Sequence, residues 1–164
     1  MVSLKRIKLL IFDIDGVLTD GRLYFLPDGQ ELKVFSVHDG VGIMLAREAG
    51  LKIVFLTGRG GKAVENRAKE LKVHKLVTAV KQKEKVLPKV MKEMGCAREE
   101  TLFMTDEVLD LAAMDLAGVS ACPADASPEV LEKARIIASR PGGMGAVREV
   151  IEKVLKSQGK WLAG

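Results

Sequence analysis

The 164-residue sequence predicts an α/β protein: a Rossmann-like parallel sheet with helices on both faces, plus a projecting β-hairpin. Residues 9–12 form a short, continuous apolar run, LLIF, which is typical of a strand buried on both faces. Strand-like runs then alternate with helix-like stretches, as in a parallel sheet with crossover helices. Polar residues follow several of these strands, at the positions where open α/β sheets bind ligands.

The hairpin is predicted over about residues 21–37, because two β-rich runs flank the turn signal Pro27-Asp28-Gly29. On a monomer its apolar residues Leu23, Phe25 and Phe35 would be exposed. We therefore expect the hairpin to form an oligomer interface.

The rest of the chain is predicted as alternating helices and strands within one domain, residues 1–164, with a C-terminal tail over about residues 141–164. Glycines end several of the helices, and Ser127-Pro128 starts another. The predicted strands after the first are 52–56, 75–79, 101–104, 119–122 and 135–139. The predicted helices are 41–49, 62–71, 83–94, a helix through Leu116, one from Ser127 and one to about Lys156.

The composition limits the function classes. A hydrophobic fraction of 48% excludes disorder, and the apolar runs are too short and too broken by charge for a membrane span. The basic and then apolar start runs into Asp13 without a cleavage site, so we expect a cytoplasmic protein. The net charge of +4 comes from basic residues interleaved with Glu, with few aromatics, which favours solvated helix faces over nucleic-acid binding. Cys96 and Cys122 form no metal-binding pattern.

Two acids follow the first strand directly. Asp13 and Asp15 point the same way if the backbone is still extended, and two close carboxylates favour a cation such as Mg²⁺. Gly16 then allows a tight turn. The ordinary alternative for Asp-x-Asp-Gly is a turn capped by side-chain hydrogen bonds.

Later strands end in further polar residues, Thr57 and Asp106, and Lys83 opens a helix between them. In a parallel sheet these side chains can converge with the two acids. A carboxylate nucleophile, a metal, a hydroxyl and a lysine are the groups that phosphoryl transfer requires. Taken singly, Thr57 and Gly58 could end a strand, Lys83 could be a surface lysine and Asp106 could cap a helix. Their joint occurrence in order favours phosphoryl transfer.

A receiver domain of two-component signalling is the alternative from another class, since it also uses paired acids, a phospho-accepting Asp, a Thr and a Lys. There the accepting Asp ends a later strand than the acid pair, and the Lys comes last. In this chain the acid pair follows the first strand and Lys83 precedes Asp106, an order that favours a hydrolase.

The string DIDGVLTDG resembles the first motif of the haloacid dehalogenase superfamily of phosphatases. The stretches DGRLYFLPDGQELKVFSVHDGVGI, LTGR, KELKV, ADASP and GGMGAVREV are similar to the 3-deoxy-D-manno-octulosonate 8-phosphate phosphatase family, a capless branch of it. The resemblance implies Mg²⁺-dependent hydrolysis of that sugar acid phosphate through an aspartyl-phosphate, in lipopolysaccharide precursor synthesis. It also implies a homotetramer built through the hairpin, in which the tail of one subunit can close a neighbour's site.

The resemblance also implies roles for individual residues. Asp13 is the expected nucleophile and Asp15 the general acid/base. The carboxylates of Asp13 and Asp106 and the backbone carbonyl of Asp15 are the expected Mg²⁺ ligands. The residues expected to bind phosphate are Thr57, Gly58 and Lys83, and those expected to bind the anionic sugar acid are Arg59 and Arg67.

The chain departs from the family pattern at three places. Thr105-Asp106-Glu107 stands where the family usually has Gly-Asp-Asp, Met144 where it usually has Arg, and Gly61 where it usually has Ser, which is expected to loosen a helix start. Two alternatives therefore stay open: a phosphatase for a nine-carbon sialic-type sugar phosphate, and an inactive oligomerising scaffold of the same fold.

Overall fold

The computed structural model describes residues 3–162, so residues 1, 2, 163 and 164 of the predicted domain lie outside it. The described part of the chain contains eight strands, in chain order β1 (Leu9–Phe12), β2 (Tyr24–Phe25), β3 (Glu31–Leu32), β4 (Lys52–Leu56), β5 (Lys75–Val77), β6 (Thr101–Met104), β7 (Val119–Cys122) and β8 (Ile136–Ile137). Six of them form an all-parallel sheet in the order β5-β4-β1-β6-β7-β8. The first strand is therefore central.

The register of the central strands aligns their carboxyl ends. Phe12 pairs with Phe55 on one side and with Met104 on the other. The Asp13 N–H donates to Met104 O at 3.0 Å, which fixes the start of the loop after β1 beside the end of β6. Polar residues that follow these strands are thereby brought to one edge of the sheet.

Two layers of helices cover the sheet. The helices are α1 (Val37–Glu48), α2 (Lys62–Glu70), α3 (Lys83–Glu93), α4 (Leu111–Met114), α5 (Pro128–Lys133) and α6 (Ala146–Ser157). Leu10 and Phe12 pack with α1, α2 and α6 on one face, whereas Leu9 and Ile11 pack with α3, α4 and α5 on the other. All four side chains of β1 are fully buried, which explains its uninterrupted apolar sequence.

The hairpin is present but short. β2 and β3 pair antiparallel over two residues each, around the turn at Pro27-Asp28-Gly29. Leu23 and Phe25 are exposed, as expected, Phe25 by 61%. Phe35 was expected to be exposed as well; instead it is partly buried against the core.

Several element bounds differ from the prediction. The first helix begins at Val37 rather than at residue 41, because the Ser36 side chain caps it by accepting from Asp39 N at 3.4 Å. The third sheet strand ends at Val77, and Ala79 has a positive φ of 57°. The predicted helix through Leu116 is a 3₁₀ turn, Val108–Asp110, followed by the single-turn α4. Gly61 is the N-cap of α2, has a φ of 131° that suits glycine and makes no side-chain capping bond, so the expected looser helix start stays a prediction.

The tail packs within its own chain. Gly143 N donates to Val17 O at 3.0 Å, so the glycine-rich segment rests on the loop that follows β1. The buried Asp39 carboxylate accepts from Gly145 N and Arg148 N, at 3.3 and 2.8 Å, and joins α6 to α1. The start of the tail and one face of α6 therefore pack against their own subunit, and the expected closure of a neighbour's site by the tail stays a prediction. No helix within residues 3–162 has the length and apolar character that a membrane span needs.

Candidate active site

A cavity of about 490 Å³ opens at the carboxyl edge of the sheet. Its lining combines acidic, basic and small residues: Asp13, Asp15, Gly21, Thr57, Gly58, Arg59, Val80, Lys81, Lys83, Asp106, Glu107, Leu109 and Asp110. Of the residues predicted for the site, the structure brings together all except Arg67.

Asp13 lies at the floor of the cavity, where the register of β1 places it. Its Oδ1 accepts from Ile14 N at 2.7 Å and its Oδ2 accepts from Lys83 Nζ at 2.5 Å. Burial raises the pKa of the Asp13 carboxyl to about 6, even though the charge and hydrogen bond of Lys83 act in the opposite direction. The carboxylate is thus fixed in orientation and largely dehydrated, as a nucleophile requires.

Lys83 joins Asp13 to a carboxylate that the sequence interpretation missed. Its Nζ also donates to Asp110 Oδ2 at 2.6 Å, and both side chains are buried. Burial lowers the pKa of Lys83, but the charges of Asp13 and Asp110 outweigh it, so the pKa lies above its ordinary value and the lysine is charged. An acid one helical turn after Asp106 was the signal that could have identified Asp110.

Thr105 bonds the same oxygen of Asp110 that Lys83 does. Its buried hydroxyl donates to Asp110 Oδ2 at 2.5 Å. Glu107 turns back to its own backbone and accepts from Val108 N at 2.7 Å. Both departures from the family's Gly-Asp-Asp pattern therefore have partners in this loop. Met144 is exposed and does not line the cavity.

The hairpin reaches Asp15 through two residues that the sequence interpretation also missed. Lys33 Nζ donates to Asp15 Oδ1, and it donates to Glu31 Oε1 at 3.0 Å. Arg59 Nη2 donates to Glu31 Oε2 at 3.3 Å. The signal was an alternation that begins in β3 and continues past its end, since Glu31 and Lys33 share one side of an extended chain and Leu32 takes the other.

The loop after β4 contains a buried hydroxyl and a close-packed glycine. Thr57 is buried, and its Oγ1 accepts from Arg59 N at 3.2 Å. Gly58 is close-packed, because a Cβ there would lie 3.3 Å from Val80 O. These contacts shape a turn against which phosphate oxygens can pack.

Arg67 lies elsewhere. Its guanidinium donates to Ser36 O at 3.0 Å and to Glu70 at 2.8 Å, and it lies 5.7 Å from the Phe35 ring centroid. It packs under Gly40, where a Cβ would approach within 2.4 Å of its Nη2. Within one chain Arg67 holds the base of the hairpin to α1 and does not reach the cavity.

Asp106 carries the clearest indication of a cation. Its Oδ1 is buried and has no hydrogen-bond partner among residues 3–162, and burial followed by the charge of Asp13 raises the pKa of Asp106 to about 7. Gly16 makes room for this carboxylate, since a Cβ at Gly16 would lie 1.9 Å from Asp106 Oδ2. A dehydrated, unpartnered carboxylate oxygen beside a second carboxylate fits a hard divalent cation.

The expected metal site contains few side-chain ligands. Within residues 3–162 no group of three or more His, Cys, Asp or Glu side chains has the arrangement of a metal site. A site built from the side chains of Asp13 and Asp106 and one backbone carbonyl has only two such side chains. The finding is therefore compatible with the predicted ligands.

A buried aspartate bonded to a lysine, a second aspartate two residues on, and Asp106, whose Oδ1 has no hydrogen-bond partner among residues 3–162, lie at the carboxyl edge of a parallel sheet, which is the arrangement expected of a haloacid-dehalogenase-type phosphatase. No family model matches the chain. A 3-deoxy-D-manno-octulosonate 8-phosphate phosphatase from Escherichia coli BL21 is 36% identical over 160 residues, covering 98% of this chain and 85% of the relative. The chain belongs to the 3-deoxy-D-manno-octulosonate 8-phosphate phosphatase family.

Solved structures agree with this membership. The crystal structure of the phosphatase of that name from Yersinia pestis matches with a TM-score of 0.95 and 35% identity, over 98% of this chain and 86% of that one. The Moraxella catarrhalis phosphatase, solved with a magnesium ion, a phosphate ion and a KDO molecule, matches with a TM-score of 0.93 and 32% identity, over 96% and 91% of the two chains. The predictions of the family and of the fold class are confirmed.

Proposed function

We propose that this chain is a Mg²⁺-dependent phosphomonoesterase that hydrolyses 3-deoxy-D-manno-octulosonate 8-phosphate to the free sugar acid and phosphate. The observation that supports this activity is the buried Asp13 carboxylate, which accepts hydrogen bonds from Ile14 N and Lys83 Nζ. It lies beside Asp106, whose buried Oδ1 has no hydrogen-bond partner among residues 3–162. The substrate rests on membership of the family, whose relatives carry that substrate in their names. The reaction would serve lipopolysaccharide precursor synthesis in the cytoplasm.

The proposed reaction has two halves. In the first, an Asp13 carboxylate oxygen attacks phosphorus, the bond from phosphorus to the sugar oxygen breaks, and Asp15 gives its proton to that oxygen. In the second, Asp15 takes a proton from water, the water oxygen attacks phosphorus, and the aspartyl-phosphate bond breaks to restore the Asp13 carboxylate and release phosphate. Asp13 and Asp15 both line the cavity where this chemistry would occur.

The remaining cavity residues would bind the substrate's charge. The Asp13 and Asp106 carboxylates and the Asp15 backbone carbonyl would hold Mg²⁺, which offsets the phosphoryl charge that would otherwise repel the nucleophile. The phosphate would be bound by Thr57, Gly58 and Lys83, and the sugar acid by Arg59. Because Arg67 lies outside the cavity, its predicted contact with the sugar acid would have to be made to a site on another subunit.

The assembly we propose is a homotetramer built through the hairpin. Its support is the run of exposed apolar side chains on that element, Leu23, Tyr24, Phe25, Leu26, Leu32 and Val34. Phe25→Asp should reduce the mass measured by light scattering, whereas Leu162→Asp, at an exposed leucine outside the hairpin, should leave it unchanged. An unchanged mass for Phe25→Asp would move the interface elsewhere.

Phosphate release from a panel of sugar phosphates, with Mg²⁺ and with chelator, tests the activity. The panel holds the eight-carbon acid phosphate, a nine-carbon sialic-type phosphate and simple hexose phosphates. Asp13→Asn should abolish turnover and keep the assembly, while Asp115→Asn, at an exposed aspartate outside the cavity, should retain turnover. Preference for the nine-carbon acid would change the substrate and keep the chemistry. No release from any of them by folded, metal-loaded protein would favour the scaffold alternative.

A further inference from the structure

We propose that Lys33, on the hairpin, is a positioning residue for the general acid/base Asp15. The inference rests on the proposed function, because it assigns Lys33 a part in the proton transfers that Asp15 performs there. It gives the hairpin a role in the chemistry in addition to its proposed role in assembly.

The first support is the burial of a charge. The Lys33 side chain is 4% exposed, although it stands on a two-stranded hairpin at the protein surface. A lysine in such an element would ordinarily extend into water, because a buried ammonium is costly unless carboxylates surround it. Lys33 has two carboxylate partners, Asp15 and Glu31. The hairpin therefore directs this charge into the protein toward the cavity wall.

The second support is the atom that Lys33 contacts. It donates to Oδ1 of Asp15, and within residues 3–162 the Oδ2 of that carboxylate has no hydrogen-bond partner. Fixing one oxygen restricts rotation of the carboxylate and leaves the other for proton transfer. General acid–base catalysis depends on this placement, because the proton must move over a hydrogen-bond distance to the sugar oxygen.

The third support is that Lys33 is itself held. Glu31 accepts from Lys33 and from Arg59, which lies on the loop after β4. Burial alone would raise the pKa of Glu31, but Lys33 and Arg59 outweigh it and hold that pKa below its ordinary value, so Glu31 is ionised. Glu31 and Lys33 face the site, while Leu32 and Val34 between and after them are exposed. Alternate side chains of β3 and the two residues after it thus point to the site and to the surface.

The test is a kinetic double-mutant cycle on phosphate release. Lys33→Met should lower kcat by roughly tenfold or more, a part of the ~10²–10⁴ that general acid–base catalysis contributes, with KM unchanged. In an Asp15→Asn background the same substitution should have no further effect on the residual kcat, because the group that Lys33 positions is already lost. The matched control is Arg22→Met, which removes an exposed cation from the same hairpin and should leave kcat unchanged.

The outcomes separate this inference from the proposed function. Wild-type kcat in Lys33→Met, or an equal loss in both backgrounds, would overturn the positioning role while the activity of the wild type stands. If the wild type releases no phosphate from any substrate, the proposed function fails. Urea unfolding of the wild type, the two single variants and the double variant then tests whether Lys33 and Asp15 interact. Non-additive midpoint shifts for Lys33→Met and Asp15→Asn would support the contact, and additive shifts would overturn it.

Discussion

Lys83 Nζ lies 2.5 Å from Asp13 Oδ2, although the two residues are 70 positions apart in the chain. The same ammonium lies 2.6 Å from Asp110 Oδ2. One buried cation therefore compensates two buried carboxylates, and removing it would leave both without their charged partner.

Lys83→Met should consequently affect stability and activity together. Breaking a buried ion pair from one side typically costs about 3–5 kcal/mol, because the remaining charge stays buried. We expect a loss of free energy of unfolding of that order by urea titration, and a loss of most of the phosphate release. Lys85→Met is the matched control, since Lys85 is an exposed lysine two residues further along α3. A Lys83→Met protein as stable as this control would contradict the charge arrangement.

Thr105 offers a finer test of the same group of residues. Thr105→Val keeps the side-chain shape but removes the hydroxyl that donates to Asp110. We expect a loss of about 1 kcal/mol of stability and a several-fold lower kcat, because Asp110 would hold Lys83 less firmly. Thr105→Ser retains a hydroxyl and should retain most of both. Equal values for the Val and Ser variants would show that the hydroxyl contributes nothing.

Gly143 and Gly159 form a matched pair for testing how the tail supports the site. Both have a φ of 68°, but a Cβ at Gly143 would lie 2.6 Å from Thr19 C, whereas Gly159 has open space around it. Gly159→Ala should cost only the strain of a left-handed backbone, about 1–2 kcal/mol. Gly143→Ala should cost about 1–3 kcal/mol more from overpacking, and should lower kcat by displacing the loop after β1. Identical unfolding midpoints and kcat for the two variants would refute the tail contact.

The aspartates at the cavity predict a pH dependence of stability for metal-free protein. Burial raises the pKa of Asp106 to about 7 and that of Asp13 to about 6, from an ordinary value of 3.8. A carboxyl with a higher pKa in the folded state stabilises the fold below its ordinary pKa, and this contribution is lost as the pH rises through the folded-state pKa. Relative to Asp106→Asn, metal-free wild type should lose roughly 2–4 kcal/mol between about pH 4 and about pH 8.

The same titration predicts the effect of removing the metal. Since Mg²⁺ would compete with protons for these carboxylates, chelator should lower the melting temperature more at about pH 8 than at about pH 5. Asp106→Asn should reduce the effect of chelator at the higher pH. A chelator effect that is the same at both pH values would contradict cation binding at Asp106.

The sequence predicted correctly those elements whose bounds depend on their own residues. β1, β4, β6 and β7 match the predicted bounds, because each is a short and mostly apolar run whose side chains are nearly all buried. The start of α1 depended on a cap instead. His38-Asp39-Gly40 gave no apolar periodicity, and the Ser36 cap places these residues inside the helix.

The site also contains residues that the sequence could predict and residues that it could not. Asp13, Asp15, Thr57, Lys83 and Asp106 could be placed together because strand ends meet at one edge of a parallel sheet. Asp110 and Lys33 were missed because their roles depend on contacts with residues distant in the chain, Lys83 and Asp15 respectively. Arg67 was expected at the site from the family resemblance, but within this chain the helix that carries it turns its guanidinium toward Ser36 and Phe35.

The contact between the glycine-rich segment and the loop after β1 also sets an order of events during synthesis. Asp13, Asp15, Lys83, Asp106 and Asp110 all leave the ribosome before Gly142 and Gly143, which pack against the backbone of residues 16–20. A nascent chain that has passed Asp110 carries every acid of the cavity but lacks the segment on which the Asp15 turn rests. Catalytic competence would therefore be acquired late, when the last helix docks, and a prematurely terminated chain would retain the chemical groups without their arrangement.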